Sequence, residues 1–320
     1  MFSKEYIQKL SVKTGFPVES LQKQMTLLDI LREIGRHPYL KNKFALKGGT
    51  AINLFWFQLP RLSVDIDLNY TGSNERETML LDRPMIEESL RKLIESRGIS
   101  VMHAPADEHA GAKWRLRAPS SFGGFFTLEL DLNYIMRIPV YGVYLKQTYP
   151  LDEHYTFNFA SVSFEELLGG KIKALMERFA ARDLFDVFML SNTKIKYDFV
   201  KLKAVTILFG VTSNRDWRDQ DLQIIDKIDQ RMMNEELRPL LRQDHELDTD
   251  TMKSETKNFL SRIFTYEENE INFLIDFLDQ GNYKPELLFG QTEQARILKY
   301  HPAVQWKLQN LRRFRGLDKE

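Results

Sequence analysis

The chain has 320 residues, with 45 basic and 45 acidic side chains and no cysteine. The lack of cysteine excludes disulfides, thiolate nucleophiles and cysteine-ligated zinc, and a net charge of zero argues against a uniformly basic nucleic-acid-binding protein. No apolar run approaches the roughly 20 residues that span a bilayer, and the N-terminus lacks a signal-peptide pattern, so we expect a cytoplasmic protein without a membrane partner.

Residues 1–160 mix helical and strand-like patterns. Apolar side chains three and four residues apart indicate helices, and strict alternation of apolar and polar side chains indicates strands. By these criteria the predicted helices are 18–36, 51–57 and 83–97, and the predicted strands are 62–70, 99–102, 113–118 and 125–134.

From Ser163 onward the apolar spacing is helical. Ser163, with Glu166 three residues later, resembles a capping box at a helix start. Further helical stretches are expected at 198–208, 219–233, 251–262, 266–280 and 286–289, with polar loops at 211–221 and 242–252. We therefore expect an α+β chain, with a mixed sheet and helices in a domain over 1–160 and a mainly α-helical domain over 161–320.

A double glycine followed by a carboxylate pair is the most informative motif. Gly48 and Gly49 allow the backbone to turn tightly and approach a ligand, and Thr50 can cap a helix whose N-terminal amides favour phosphate. Asp65 and Asp67 are two residues apart on a predicted strand, so both carboxylates point to one face. Mg²⁺ with substrate phosphates would relieve their repulsion, as in two-metal phosphoryl transfer. A lone Asp-x-Asp on an edge strand is typical of a solvated face; the combination favours a site.

This order of motifs resembles the nucleotidyltransferase fold of the DNA polymerase β superfamily. More narrowly, the segment 47–52 with Arg61, Ser63, Asp65 and Asp67 is similar to the AbiEii/AbiGii family, the nucleotidyltransferase toxins of type IV toxin–antitoxin and abortive-infection systems. The resemblance implies Mg²⁺-dependent transfer of a nucleotide from an NTP to an acceptor such as tRNA or another RNA. It implies that the double-glycine segment, Arg61 and Ser63 bind the nucleotide, and that a cognate antitoxin exists.

The resemblance also implies a third metal-binding carboxylate on a later strand. Asp131 is the candidate, and Glu129 is the alternate because it shares the same strand face. Asp131 would complete the metal site and accept the proton of the attacking hydroxyl. The competing interpretation is that both positions are simply exposed on the strand.

A second block, E-E-L-L-G-G-K-I-K-A-L followed by R-D-L-F-D-V, is similar to a second motif of the same family. Lys171 and Arg178 share a helix face and Arg182 extends the row, which fits either cations that reach triphosphate oxygens or a solvated basic stripe. The resemblance implies that Lys171 contacts phosphate and that Asp183 or Asp186 is needed for activity. One of the two aspartates could instead orient Lys171 or Arg182, and the spacing does not choose between them.

The C-terminal stretch is basic, with Arg312, Arg313 and Arg315 close together. These arginines are candidate RNA contacts, and the competing interpretation is a solvated helix face. Two other functions stay open: nucleotidyl transfer to a protein or small molecule, and a nucleotide-binding module without turnover. The identity of the labelled acceptor would reveal the first, and nucleotide binding without release of pyrophosphate would establish the second.

Overall fold

The computed structural model describes residues 2–103, 111–152 and 155–317, which divide into two compact units. Over its described residues, the first unit comprises Met1–Pro139, Val143–Val162 and Arg238–Glu246, and the second comprises Val140–Gly142, Ser163–Leu237 and Leu247–Glu320. The segment 238–246 therefore belongs to the first unit, although the sequence pattern predicted that it lies in the second domain, 161–320. It is held there by backbone pairing, since the Leu62 N–H donates to the Leu240 carbonyl over 2.7 Å.

The first unit contains a mixed sheet with helices. Its helices are α1 (Lys4–Thr14), α2 (Val18–Arg36), α3 (Gly48–Phe55) and α4 (Arg76–Ser96). Its strands are β1 (Phe44–Leu46), β2 (Asp65–Tyr70), β3 (Ser100–His103), β4 (Gly111–Pro119), β5 (Phe125–Asn133), β6 (Val143–Gln147) and β7 (Asn158–Val162). Among the described residues the strands lie in the order β3-β4-β5-β2-β1-β7-β6.

The centre of the sheet sets the register that matters for function. β2 runs parallel to β5, whereas β4 pairs antiparallel with the other side of β5. Ile66 and Leu130 are buried on the core face, while the intervening residues of both strands point to the opposite, polar face. The predicted alternation over 62–70 begins to form a ladder only at Asp65, because the Ser63 N–H donates to the Gln24 side chain and not to a strand.

The second unit is helical. Its α-helices are α5 (Phe164–Arg178), α6 (Ala181–Ser191), α7 (Phe199–Gly210), α8 (Gln230–Met232), α9 (Thr249–Ile263), α10 (Glu268–Leu278), α11 (Glu286–Phe289), α12 (Glu293–Leu298) and α13 (Pro302–Arg315). Together with the sheet of the first unit, these helices confirm the predicted α+β class. Across the described residues, none of the helices combines the length and apolarity that crossing a membrane requires.

One predicted helix of this unit is wrong. The stretch 219–233 forms a 3-10 turn over Leu222–Lys227, the short α8 and the start of a π turn over Met233–Leu237. The Asp221 carboxylate accepts the backbone N–H of Gln223, and the Asp229 carboxylate accepts that of Met232. Aspartate side chains that cap nearby backbone groups compete with a continuous helix, so each one starts a new turn.

Candidate active site

The double-glycine turn lies directly against one carboxylate of the predicted pair. Gly48 begins α3 with a φ of +68°, a left-handed conformation that favours glycine. A Cβ added to Gly48 would overlap Oδ2 of Asp67 and lie 3.0 Å from its Cγ. The Lys47 N–H also donates to the Asp67 carbonyl over 2.9 Å. The turn and β2 therefore fit together only because no side chain is present at Gly48.

Thr50 does not cap α3, which corrects the sequence prediction. The helix begins at Gly48 with Lys47 as its N-cap, so Thr50 lies inside the first turn and is fully buried. Its hydroxyl donates to the Asp65 carbonyl over 2.5 Å and lies 2.9 Å from the Ser63 hydroxyl. Thr50 therefore fixes the start of β2, directly beside the first carboxylate.

Arg61 and Ser63, the other predicted nucleotide-binding residues, lie in the segment before β2. Both are buried, with Arg61 only 2% exposed. The Arg61 guanidinium donates to the Leu62 carbonyl over 2.7 Å, and the Ser63 N–H donates to the Gln24 side chain over 2.9 Å. These contacts fix the backbone of the segment that leads into Asp65.

The sheet register brings the three predicted metal-binding carboxylates onto one face. Asp67 pairs in register with Asp131, and Asp65 pairs with Glu129, in adjacent parallel strands. Paired positions on neighbouring strands point to the same face, at a strand separation of about 4.8 Å. Glu129 is already engaged, because its carboxylate lies 2.6 Å from the Lys113 ammonium. This ion pair, and not the register, favours Asp131 over Glu129 as the candidate third carboxylate.

The charge on this face is reflected in the pKa of Asp131. Burial raises the pKa of this carboxyl, the positive charge of Lys47 lowers it, and the negative charge of Asp67 raises it again, so that the net shift is upward. On the neighbouring strand, the hydrogen bond to Glu129 raises the pKa of Lys113. Asp67 and Asp131 thus repel each other, which a bound cation would relieve.

Aspartate oxygens are the donors that Mg²⁺ prefers, so the chemistry of this face fits a divalent cation. Asp65, Asp67 and Asp131 are the residues that would hold it. Among the residues that the structure describes, however, no three acidic or histidine side chains converge closely enough to hold a metal ion as they stand. The three carboxylates therefore fit a divalent cation in donor type and in strand face, but their side chains are not drawn together around one point in this structure.

The second unit contains a buried ion-pair cluster built from the second sequence block. The Ser163 hydroxyl accepts the Glu166 N–H and caps α5, as predicted. The Lys171 ammonium on this helix lies 2.8 Å from Oδ1 of Asp183 and 2.9 Å from Oδ2 of Asp186, both on α6. Both aspartates are buried, and each forms an ion pair with Lys171.

Arg178 completes this cluster from the last turn of α5. Its guanidinium makes two hydrogen bonds to the Asp183 carboxylate, of 2.6 and 2.9 Å. Burial alone would raise the pKa of Asp183, but the charges of Lys171 and Arg178 and their hydrogen bonds outweigh it and hold the pKa well below its usual range. Arg182, the remaining member of the predicted row, is partly exposed on the first turn of α6.

Sequence reasoning missed the cations that surround the carboxylates. Lys47 acts electrostatically on Asp131, and Lys113 lies opposite Asp131 in the register of β4 and β5. The alternation K-W-R-L-R over 113–117 does predict that its three cations share a strand face. It does not predict which strand lies beside β4, and only that neighbour brings the cations to the carboxylates.

Comparisons with known proteins agree with this architecture. The family model described as "Nucleotidyl transferase AbiEii toxin, Type IV TA system" matches residues 29–280. A solved structure of MenT4, a nucleotidyltransferase toxin from Mycobacterium tuberculosis H37Rv, is similar in fold with a TM-score of 0.63 and 15% sequence identity, covering 97% of this chain and 99% of that one. No curated protein matches the sequence. With the family model covering most of its length, the chain belongs to the AbiEii nucleotidyltransferase toxin family of type IV toxin–antitoxin systems.

Proposed function

We propose that this nucleotidyltransferase transfers a nucleoside monophosphate from an NTP to the 3′ end of an RNA, with tRNA as the first candidate acceptor, and that it requires Mg²⁺. The observation that carries the proposal is the register of β2 and β5, which pairs Asp67 with Asp131 and Asp65 with Glu129 on one strand face. Phosphoryl transfer needs such carboxylates to be fixed before substrate arrives, because catalysis depends mostly on positioning and charge.

In the proposed reaction, the oxygen of an RNA hydroxyl attacks the α-phosphorus of the NTP. A new phosphorus–oxygen bond forms to the acceptor, the bond between the α-phosphorus and the bridging oxygen breaks, and pyrophosphate leaves. The Asp131 carboxylate accepts the proton of the hydroxyl. Mg²⁺ bound by Asp65, Asp67 and Asp131 would supply positive charge that offsets the charge developing on the phosphates.

The chain's own residues have separate roles in this scheme. The backbone at Gly48 and Gly49 binds the triphosphate, since these two residues carry no side chains of their own and form the first turn of α3, where helix N-terminal amides favour phosphate. Thr50, Arg61 and Ser63 support nucleotide binding by holding the start of β2, as their buried hydrogen bonds indicate.

For the cluster in the second unit, we propose that Lys171 supplies a fixed positive charge for the phosphates. Asp183 and Asp186 keep its ammonium in one position. Arg178 and Arg182 are more exposed and are proposed to add positive charge on the same part of α5 and α6. Activity should therefore depend on both aspartates as well as on the lysine.

The family also bears on the protein's partner and its compartment in the cell. A type IV system supplies a cognate antitoxin, so we propose that such a protein controls the activity of this toxin. We further propose that the enzyme acts in the cytoplasm, where NTPs and tRNA both occur.

The deciding experiment incubates the purified protein with each α-³²P-labelled NTP, Mg²⁺ and total cellular RNA. The controls are an EDTA arm and an Asp65→Asn/Asp67→Asn variant of unchanged melting temperature. We expect label in small RNA with the wild type and Mg²⁺ only. Label in protein or in a small molecule would refute the RNA acceptor, and label in RNA in the presence of EDTA would refute the metal requirement.

A further inference from the structure

A row of cations runs along β4 on the same face as the catalytic carboxylates. Lys113, Arg115 and Arg117 alternate with buried residues and are all exposed. In the register of β4 and β5 they lie opposite Asp131, Glu129 and Thr127, respectively. Successive cations on this face are about 7 Å apart, given a rise of about 3.4 Å per residue. The row therefore begins beside Asp131 and leads away from it.

Glu129 neutralises only part of this row. Its carboxylate lies 2.6 Å from the Lys113 ammonium and 4.0 Å from the Arg115 guanidinium. Over the part of the chain that the structure describes, no carboxylate forms an ion pair with Arg117. Its guanidinium instead lies over the ring of Phe125, 3.8 Å from the centroid. Since Lys113 also lies opposite Asp131, the positive charge that is least compensated is that of Arg115 and Arg117, at the far end of the row.

The far end of the row opens into a cleft of about 520 Å³. Arg115, Arg117 and His103 line it together with the Phe125 ring, which is 59% exposed. A cleft of this size admits a nucleotide-sized group. Cations combined with an exposed aromatic ring are the combination that binds single-stranded nucleic acid, through phosphates and stacked bases respectively.

We propose that Lys113, Arg115, Arg117 and Phe125, the β4 track, bind the single-stranded 3′ segment of the acceptor RNA. The inference rests on the proposed function, whose nucleotide-binding turn lies at β1 and α3. In the sheet order β4-β5-β2-β1, that turn is on one flank of the carboxylates and the β4 track is on the other. The NTP and the acceptor thus approach the carboxylates from opposite sides, as in-line attack requires.

Two of the three arginines of the basic C-terminal helix are engaged within their own unit, which makes the β4 track the stronger candidate. Within α13, the Arg312 guanidinium donates to the Gly281 carbonyl over 2.8 Å, and the Arg315 guanidinium lies 3.4 Å from the Asp279 carboxylate. These two arginines are used to hold the helix against the turn that follows α10. The track residues, in contrast, point away from the core of their own unit.

The test measures binding of a fluorescein-labelled, single-stranded 12-nucleotide RNA by anisotropy, without NTP, over a range of salt concentrations. The variant is Arg115→Gln/Arg117→Gln, and the matched control is Lys9→Gln/Lys41→Gln, which removes two exposed charges elsewhere in the first unit. Lys113 is left intact because its charge acts on Asp65 and Asp131. Melting temperatures establish that both variants are folded.

We expect the track variant to lose about tenfold in RNA affinity and its salt slope to fall by about 1.4, since each phosphate contact of a single strand contributes about 0.7. The control should bind within twofold of the wild type. Phe125→Leu should lose about fivefold in affinity with an unchanged salt slope, because stacking is not ionic.

Equal RNA affinities for the track variant and the control would overturn the inference, as would a wild type that does not bind the RNA. The assay does not depend on catalysis, so it separates this inference from the proposed function. Binding along the track without transfer of label to RNA would contradict the proposed reaction alone. Transfer to RNA by a track variant that binds RNA normally would contradict the track alone.

Discussion

The carboxylate of Asp67 occupies the space that a side chain at Gly48 would need. Two independent constraints therefore meet at Gly48: its left-handed backbone, and the contact with a residue proposed to bind the metal. The consequence is that the shape of the turn and the position of the carboxylate cannot change separately. Substitutions at this glycine should affect the candidate active site even though glycine has no side-chain functional group.

Gly48→Ala should abolish NTP binding and destabilise the protein, because the new methyl group displaces Asp67 as well as straining the backbone. Gly98→Ala is the matched control, since Gly98 has a φ of +74° but nothing within 4 Å of an added Cβ. The backbone strain that both variants share costs about 1–2 kcal/mol. Nucleotide binding by calorimetry and thermal unfolding measure the two effects, and an equal loss in both variants would refute the steric argument.

Asp131→Asn should lower nucleotidyl transfer at least about 100-fold, whereas Glu129→Gln should lower it less than tenfold, because Glu129 is paired with Lys113. A readout independent of catalysis is the rise in melting temperature on adding Mg²⁺ or Mn²⁺. That rise should be smaller in Asp131→Asn and unchanged in Glu129→Gln. The reverse pattern would make Glu129 the third carboxylate.

Asp183→Asn should destabilise the second unit by about 3 kcal/mol, because it leaves buried Lys171 with one carboxylate fewer. The pKa of Asp183 is lowered in the folded protein, so its contribution is present above the unfolded-state pKa and is lost as the pH falls below it. The difference in the free energy of unfolding between the wild type and the variant should therefore shrink as the pH falls below about 4.

The control for Asp183→Asn is Asp226→Asn, which breaks a more exposed pair with Lys257 at 3.0 Å. That change should cost less than about 1 kcal/mol. Urea unfolding at several pH values measures both variants. A similar small cost at the two positions would show that the cluster around Lys171 contributes little to stability.

Glu166 should make the stability of the protein decrease between about pH 4.5 and 8. Burial raises the pKa of this carboxyl to about 8, although it accepts the Val140 N–H over 2.8 Å. Because the folded-state pKa is raised, stability is fully present below the unfolded-state pKa and is lost as the pH rises through the folded-state value. Glu166→Gln keeps an acceptor for Val140 and should remove this decrease in urea unfolding. A variant with the same pH profile as the wild type would contradict the burial argument.

The polar face of the candidate active site could be predicted from sequence where the pattern depends only on residues of one strand. Alternation predicted that Asp65 and Asp67 share one face, and likewise Glu129 and Asp131, and the structure shows both arrangements. The pairing of the two strands was not predictable in the same way. It depends on non-local strand order, and alternation within one strand carries no information about its neighbour.

Other features were missed because their local signals are ambiguous. β6 is an edge strand with mostly exposed residues, so it lacks the alternation that marks a half-buried strand. The helical row of Lys171 and Arg178 has the same spacing whether it is solvated or paired, and only the neighbouring helix shows that Lys171 is buried. The cap assigned to Thr50 failed because glycines can themselves form the first turn of a helix.

The backbone pairing of Leu62 with Leu240 has a consequence for biosynthesis. The first unit includes residues 238–246, so a ribosome must translate about three quarters of the chain before that unit has all its parts. A nascent or truncated chain that ends at residue 162 would leave the Leu62 N–H, close to the start of β2, without its partner. The unit that contains β2 and β5 is therefore complete only after most of the polypeptide has been made.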